Sequence, residues 1–444
     1  MFISFTAALI AASGAIAQGN DRFVDVIVSL DVEHRLQPGS ANRAMAAEVA
    51  RGHGVAANRT FGNVFSGFAA RVPEARLNAL RNDPLVASVS IDQPVWALQS
   101  CNSPNTPPCE EEDDGGGDDG GSNQTVPWGV SRIGADTNGN TGAGTHVYII
   151  DTGIDATHPD LQANLGNGFA ASDAGCQDQT SGPPGSRTSC DNIWDDDNGH
   201  GSHVAGTVGA IDNDAQVVGV APGVTLHAVK VLDGGGGGTF SGIIEGVDWV
   251  AGEAASLGTA VVANMSLGGG GSKSGSCDNG SFSGDDNLHR ALCNAAAAGV
   301  VFAVAAGNEG ADASGSVPAA YDDTVISVSA TNSSDDWPSW SNWGDASASW
   351  TANVSAPVAI AAPGVDVLST WNDGGTNTIS GTSMASPHAA GGAALFITSN
   401  PQAGDFSAFT NTRAGLLGAD ESTDGFSNTS GNPHDEDFLD AGAL

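Results

Sequence analysis

Positive charge is what this chain has least of: 14 Lys plus Arg stand against 51 Asp plus Glu in 444 residues, a formal net charge of −37. So acidic a surface repels polyanions, which sets aside nucleic acid and anionic membranes as partners, and it suits solubility where salt screens self-repulsion. Also missing is any uninterrupted apolar stretch of the ~18–20 residues that a membrane-crossing helix needs, so no membrane anchor is expected. No C-x-x-C pair and no neighbouring His cluster occurs, which argues against metal ligation by the cysteines. No repeat recurs at ~20–50-residue spacing, so solenoids and propellers are set aside. A dinucleotide fingerprint is absent too: Gly236-x-Gly238 is followed by Gly242, one place too late for Gly-x-Gly-x-x-Gly, which disfavours a nucleotide-dependent oxidoreductase.

The few cations are unevenly spread. Arginines 22, 35, 43, 51, 59, 71, 76 and 81 precede residue 99 beside eight acids, whereas the rest of the chain holds 43 acids against six cations. This imbalance reads as adaptation to a saline medium outside the cell. Residues 2–17 form an apolar run ending in Ala15-Ile16-Ala17, a small-x-small pattern, so residues 1–17 are expected to be a signal peptide and the protein to be secreted, although no Lys or Arg follows Met1 there. Six cysteines, an even number, fit an oxidising compartment. Sequence proximity suggests Cys101 with Cys109, Cys176 with Cys190 and Cys277 with Cys293, among the 15 pairings that six cysteines allow.

Composition divides the chain further. Residues 21–98 mix strand-like runs (Phe23 to Leu30, Val86 to Ile91) with helix-like ones (Ala41 to Gly52, Pro73 to Asn82), a small α+β unit. Residues 99–123 are Pro, Gly, Asp and Glu, including Glu110-Glu111-Glu112-Asp113-Asp114, and read as an acidic linker that buries almost nothing. From 124 to 400, apolar strand runs alternate with Ala-rich helical patterns, which predicts an α/β three-layer sandwich with a mostly parallel sheet. Residues 401–444 turn polar and acidic and are expected to form a short, poorly ordered tail with one weak helical patch, Thr412 to Leu417.

Three segments each set one reactive side chain at the edge of a regular element. Asp151 ends the run His146-Val-Tyr-Ile-Ile, His200 lies among glycines at a helix start, and Ser383 lies at a turn leading into the helix Ala389 to Ile397. A serine hydroxyl is a poor nucleophile until an imidazole takes its proton, and the imidazole needs a carboxylate to fix its tautomer. Asn308 follows the strand Val300 to Val304, where its amide could donate to an oxyanion together with the Ser383 backbone N–H. The chain order Asp, His, Ser argues against α/β-hydrolases and the chymotrypsin type.

Asp-Thr-Gly-Ile-Asp, His-Gly-Ser-His-Val-Ala-Gly-Thr, Asn-Met-Ser-Leu-Gly-Gly, Ala-Ala-Gly-Asn-Glu-Gly and Gly-Thr-Ser-Met-Ala-Ser-Pro-His resemble the motifs of the subtilisin-like serine proteases, from Gln124 to about Asn400. The resemblance implies a serine endopeptidase acting through an acyl-enzyme on protein substrates, broad in specificity and monomeric. It implies that an extended peptide is held between Gly236-Gly237-Gly238 and Ser266-Leu267-Gly268, with Ser316 near the floor of a first pocket that takes large apolar side chains. It implies structural Ca²⁺, bound by side chains of Gln124, Asp160 and Asn213 and carbonyls of Ile211, Ala215 and Val217. Residues 21–98, through Phe65-Ser-Gly-Phe-Ala and Val86-Ala-Ser-Val-Ser, resemble the family's inhibitory propeptide, which the enzyme removes itself, with the cut between Ala97 and Ser122. A catalytically silent scaffold on the same fold is the rival, and the intact trio with Asn308 speaks against it.

Overall fold

The computed structural model describes residues 22–31, 39–98, 124–177, 190–344, 358–423 and 426–444. The stretch expected to be a signal peptide, the acidic residues 99–123, Cys101 and Cys109 lie outside the described residues.

The first unit comprises β1 (Phe23–Leu30), α1 (Gly39–Gly52), β2 (Ala57–Phe61), β3 (Gly67–Pro73), α2 (Leu77–Arg81) and β4 (Val86–Ile91). Its four strands form an antiparallel sheet in the order β2-β3-β1-β4. Alternation along β1 gives the sheet two working faces. Val26, Val28 and Leu30 enter a core closed by Ala46, Phe68 and Leu80, while Ile27 joins Phe61, Val64 and Phe65 in the core of the second unit. A last short strand, β5 (Pro94–Ala97), leaves this sheet for another.

The second unit runs through α3 (Trp128–Arg132), β6 (His146–Asp151), β7 (Phe169–Ala170), α4 (His200–Gly209), β8 (Thr225–Lys230), β9 (Gly237–Thr239), α5 (Phe240–Leu257), β10 (Val261–Met265) and β11 (Leu267–Gly270). The hairpin β12 (Ser276–Asp278) and β13 (Ser281–Ser283) leads to α6 (Asn287–Ala296), β14 (Val300–Ala305), β15 (Ser316–Val317), β16 (Val325–Thr331) and β17 (Ile360–Pro363). Then come β18 (Val367–Thr370), β19 (Thr376–Ile379), α7 (Thr382–Ser399) and α8 (Ser407–Gly418). Seven strands form one parallel sheet in the order β17-β16-β14-β10-β6-β8-β7. Its apolar strands are buried on both faces. Val147 and Ile149 of β6 pack with α4 and α7, whereas Tyr148 and Ile150 pack with α5 and α6, which makes the three layers.

Local chemistry sets the helix ends. Thr239 caps α5 by accepting from the Gly242 amide at 3.1 Å, and Asp286 caps α6 by accepting from Leu288 and His289. The disulfide Cys277–Cys293 ties the hairpin to α6, and Cys176–Cys190 closes a loop ahead of α4; both are pairs that proximity suggested.

The tail predicted for residues 401–444 is instead part of the second unit. Helix α8 packs on α7, and the chain then returns to the edge of the large sheet: Leu439 donates to Ala361 O at 2.9 Å, and Ala361 donates to Asp437 O at 2.8 Å. Phe438, Leu439 and Ala441 are fully buried. Arg132 stacks on the rings of Phe438 and Phe426 and pairs with Asp335 and Glu421. A few apolar side chains and one arginine hold the segment despite its acids, of which Glu436 is itself buried and bonded to Ser329 and His434.

Candidate active site

Connections from β6 run to β8 on one side and onward to β10, β14 and β16 on the other, and a sheet that reverses its order opens a crevice at the carboxyl ends of its strands. Asp151 is the last residue of β6, His200 the first of α4, Ser383 the second of α7, and Asn308 follows β14. The crevice brings all four together. His200 Nδ1 lies 2.7 Å from Asp151 Oδ1, and both side chains are fully buried. With the carboxylate accepting, the proton sits on Nδ1, which leaves the Nε2 lone pair free; Nε2 has no hydrogen-bond partner among the described residues.

Ser383 is fixed through its backbone. Pro387 lies four residues on in α7 and has no N–H, so the carbonyl of Ser383 lacks its intrahelical donor, and Ser266 Oγ donates to it at 2.7 Å instead. Ser386 Oγ donates to Asn264 Oδ1 at 2.6 Å, and Asn264 Nδ2 donates to Ser266 Oγ at 2.9 Å, completing a buried polar frame under Ser383. The Ser383 hydroxyl donates to Ser266 O at 3.0 Å. Its backbone N–H, in the first turn of α7, belongs to the amides that a helix leaves unpaired within itself. Asn264, Ser266 and Pro387 all fall within the motifs Asn-Met-Ser-Leu-Gly-Gly and Gly-Thr-Ser-Met-Ala-Ser-Pro-His, but this framing role was not legible there, because it depends on α7 lying over the end of β10.

The cleft holds the chain's own segment. Strand β5 inserts antiparallel between β9 and β11, pairing Val95 with Gly238, Trp96 with Gly237 and Gly268, and Ala97 with Leu267. Ala97 N donates to Gly236 O at 3.0 Å, and Leu98 N donates to Ser266 O at 3.2 Å. Asn308 Nδ2 then donates to Leu98 O at 2.8 Å. The amide cannot turn away, because Asn308 Oδ1 accepts both the N–H and the hydroxyl of Thr382 at 2.9 Å. Thus Gly236 to Gly238 and Ser266 to Gly268 flank an extended peptide, and Ser316, in β15 beside β11, has its hydroxyl bound by Asn342 at 3.3 Å.

Two matches with protein families bear on this geometry. A profile described as the subtilase family, Peptidase S8, spans residues 142–428, and one described as peptidase inhibitor I9 spans residues 27–97. The chain belongs to the subtilase family. It is 36% identical over 394 residues to an extracellular serine proteinase of Thermus sp. (strain Rt41A), covering 85% of this chain and 79% of that one. To subtilisin DY of Bacillus licheniformis it is 40% identical over 284 residues, 63% of this chain and 86% of that one. The solved structure of a cold adapted subtilisin-like serine proteinase superposes with a TM-score of 0.54 at 35% identity, covering 72% of this chain and 98% of that one. The protein is therefore a subtilisin-like serine protease carrying an I9-type propeptide, with that propeptide as its intramolecular inhibitor.

Charge complements shape where the propeptide meets the subtilase unit. Asp248 Oδ1 on α5 accepts the amides of Gly62, Asn63 and Val64 at 3.0, 2.6 and 2.8 Å, and Arg43 pairs with its other oxygen. Arg59 is held between Asp173 and Glu245, and Asn287 Nδ2 on α6 donates to Ile27 O at 2.9 Å. Two of the arginines concentrated before residue 99, Arg43 and Arg59, thus find acids of the larger unit.

The loop after α4 supplies hard oxygens. Gln124 Nε2 donates to the carbonyls of Ile211 and Val217 at 2.8 and 2.9 Å and to Asn213 Oδ1 at 3.3 Å, so three acceptors converge on one point. The buried Asp160 carboxylate accepts from Asn213 Nδ2 and from Val217 N, both at 3.1 Å. Asn213 Oδ1 already faces that point, and turning the Gln124 amide alone presents Gln124 Oε1 beside it, the carboxylate and the carbonyls, an all-oxygen set of the kind Ca²⁺ takes. Ala215 contributes its N–H to Asn213 Oδ1 at 3.0 Å from the same turn.

Proposed function

We propose that the protein is a secreted endopeptidase of low sequence selectivity that cuts itself free of its propeptide at the Leu98–Gln99 bond. The observation that carries this reading is the Leu98 carbonyl on the Asn308 amide, with Leu98 N–H on Ser266 O, in the cleft that holds Ser383 and His200. Ser383 Oγ attacks the Leu98 carbonyl carbon as His200 Nε2 takes the hydroxyl proton. The oxyanion is met by Asn308 Nδ2 and the Ser383 N–H. The bond to Gln99 breaks with return of that proton to the leaving amine, and water resolves the acyl-enzyme by the same relay, with Asp151 holding the imidazole.

Low selectivity follows from how β5 is held. Most of its contacts are backbone hydrogen bonds, which any residue can make. Trp96 is 53% exposed, whereas Val95 is fully buried against Gly238 and Gly269, and the Leu98 side chain lies over Gly268. An apolar residue is thus preferred at the Leu98 and Val95 positions and almost anything is accepted at Trp96. Gln124, Asp160, Asn213 and the carbonyls of Ile211, Ala215 and Val217 would hold Ca²⁺, which supplies charge that fixes the mature amino-terminal segment to the loop after α4. Secretion is supported by the apolar run 2–17 and by the two disulfides. The acid excess supports a saline working medium, so the melting temperature should rise between low and molar NaCl.

Intact masses of wild type and Ser383→Ala, each incubated with Ca²⁺ and a denatured protein, test the reading. Wild type should lose everything through Leu98, acquire Gln99 as its new amino terminus and digest the substrate, while Ser383→Ala stays uncut and inert. A folded wild type that stays uncut and inert overturns it.

A further inference from the structure

Three consecutive acids, Asp195, Asp196 and Asp197, precede His200, and the structure gives each a different task. Asp195 accepts from Asn192 N at 2.7 Å and closes its own turn. Asp197 pairs with the buried Lys230 at 2.6 Å. Asp196 is fully buried, and its two oxygens accept five hydrogen bonds from both sides of the active site. Oδ1 takes Thr152 Oγ1, Asn198 N and Gly199 N, each at 2.9 Å, and Oδ2 takes Ser202 N and Oγ at 2.8 and 2.7 Å.

Those donors belong to the two segments that carry Asp151 and His200. Thr152 N donates to Asp151 Oδ1 at 2.7 Å, and Thr152 Oγ1 accepts from Gly201 N at 2.8 Å. Asn198, Gly199 and Ser202 surround His200 at the start of α4. Gly199, at φ 113, has no side chain to cap this helix, and its backbone conformation is one that other residues adopt at a cost. The carboxylate of Asp196 takes over the capping task, with a negative charge where the helix dipole favours it.

We propose that Asp196 is a positioning residue that holds the Asp151 loop and the His200 helix in mutual register through Thr152, and so keeps the Nδ1 to Oδ1 bond at its working length. The proposal rests on the catalytic reading of Asp151, His200 and Ser383 given above. An asparagine at 196 offers one oxygen where two are required and turns an N–H₂ toward donors on one side, so register is lost while the shape is kept.

The test uses Asp196→Asn, Thr152→Val and Thr152→Ser in the full chain, with self-processing followed by mass and the Ca²⁺-loaded processed enzyme assayed on a peptide substrate. Asp196→Asn should lower kcat about 10–100-fold, as sub-ångström to ångström misplacement of catalytic groups does, with KM within about twofold of wild type. The acid limb of the kcat–pH profile and the proton resonance of His200 Nδ1–H should both shift. Thr152→Val should reproduce the loss, Thr152→Ser should retain wild-type kcat, and the double variant Thr152→Val/Asp196→Asn should be no worse than Asp196→Asn alone. Wild-type kcat, pH profile and proton resonance in Asp196→Asn, with only a lower melting temperature, overturns the proposal. If Asp196→Asn does not fold, Thr152→Val decides by the same readouts. Failure of the catalytic reading looks different: Ser383→Ala would then remain active.

Discussion

The side-chain amide of Asn308 points at the carbonyl oxygen of Leu98, 2.8 Å away. Because Thr382 claims the other end of that amide, the donor is fixed in place, as the proposed stabilisation of an oxyanion at this carbonyl requires. Asn308→Leu should reduce kcat about 10²–10³-fold with little change in KM, a magnitude taken from removal of one such donor in a subtilisin. Asn308→Asp keeps the bonds to Thr382 but sets an acceptor against the oxyanion, so it should be at least as damaging. Self-cleavage at Leu98–Gln99 should slow in parallel. Equal kcat in wild type and Asn308→Leu would remove Asn308 from the mechanism.

The residues legible in the sequence share a physical property. Asp151, His200, Ser383 and Asn308 sit at ends of apolar strands or starts of small-residue helices, and their roles constrain neighbours close in sequence. Leu98 in the cleft was hidden because its placement depends on partners at Ser266 and Asn308, about 170 and 210 residues away, and its own neighbours carry no motif. Asp196 was hidden inside a run of acids that resembles a solvated surface. The C-terminal segment was misjudged because its acids dominate its composition, whereas its placement depends on Phe438, Leu439 and the distant Arg132.

Leu98 in the cleft and Gln124 against the loop after α4 are both placed in one uncleaved chain, with 25 residues between them. A chain of that length spans up to ~80 Å when extended, so neither end needs to be released for the other to dock. Calcium binding should therefore precede processing. Full-length Ser383→Ala should gain melting temperature on adding Ca²⁺, corresponding to about 2.7 kcal/mol at a hundredfold excess over Kd, and Asp160→Asn should lose the response. A response confined to the processed enzyme would reverse this order; no response in either would remove calcium.

Acid should destabilise the fold in a definite window. Burial pushes His388 and His227 down to about 4 and His203 to about 3, from an ordinary 6.5. Each ring donates one N–H to a backbone carbonyl, Met384 for His388, Asn167 for His227 and Val367 for His203. Between pH 6.5 and 4 the unfolded chain binds these protons and the folded one does not, so stability rises with pH there and is lost on acidification. Each excluded proton contributes a slope of up to about 1.4 kcal/mol per pH unit. Urea unfolding of Ser383→Ala at pH 7, 6, 5 and 4 should show the decline, and His227→Gln should make it shallower. An unchanged slope in His227→Gln would mean that this ring takes up its proton in the native state.

Whether the C-terminal segment is structural can be decided at one ring. Phe438 is fully buried, lies 4.4 Å under the Arg132 guanidinium and 5.4 Å from the Phe426 ring, and exchanges backbone hydrogen bonds with Glu421 at 2.8 and 2.9 Å. Phe438→Ala removes the ring from a packed site whose walls include the edge strand β17, so the cavity term adds to the lost burial, and a loss of about 3–5 kcal/mol is expected. Ile193→Ala, at a side chain 67% exposed, provides the contrast, with a change within about 0.5 kcal/mol. Urea unfolding of both variants in the Ser383→Ala background measures the difference free of self-digestion. If Phe438→Ala were as silent as Ile193→Ala, the segment would contribute no stability despite its burial, and the acid-rich composition would be the better guide to its behaviour.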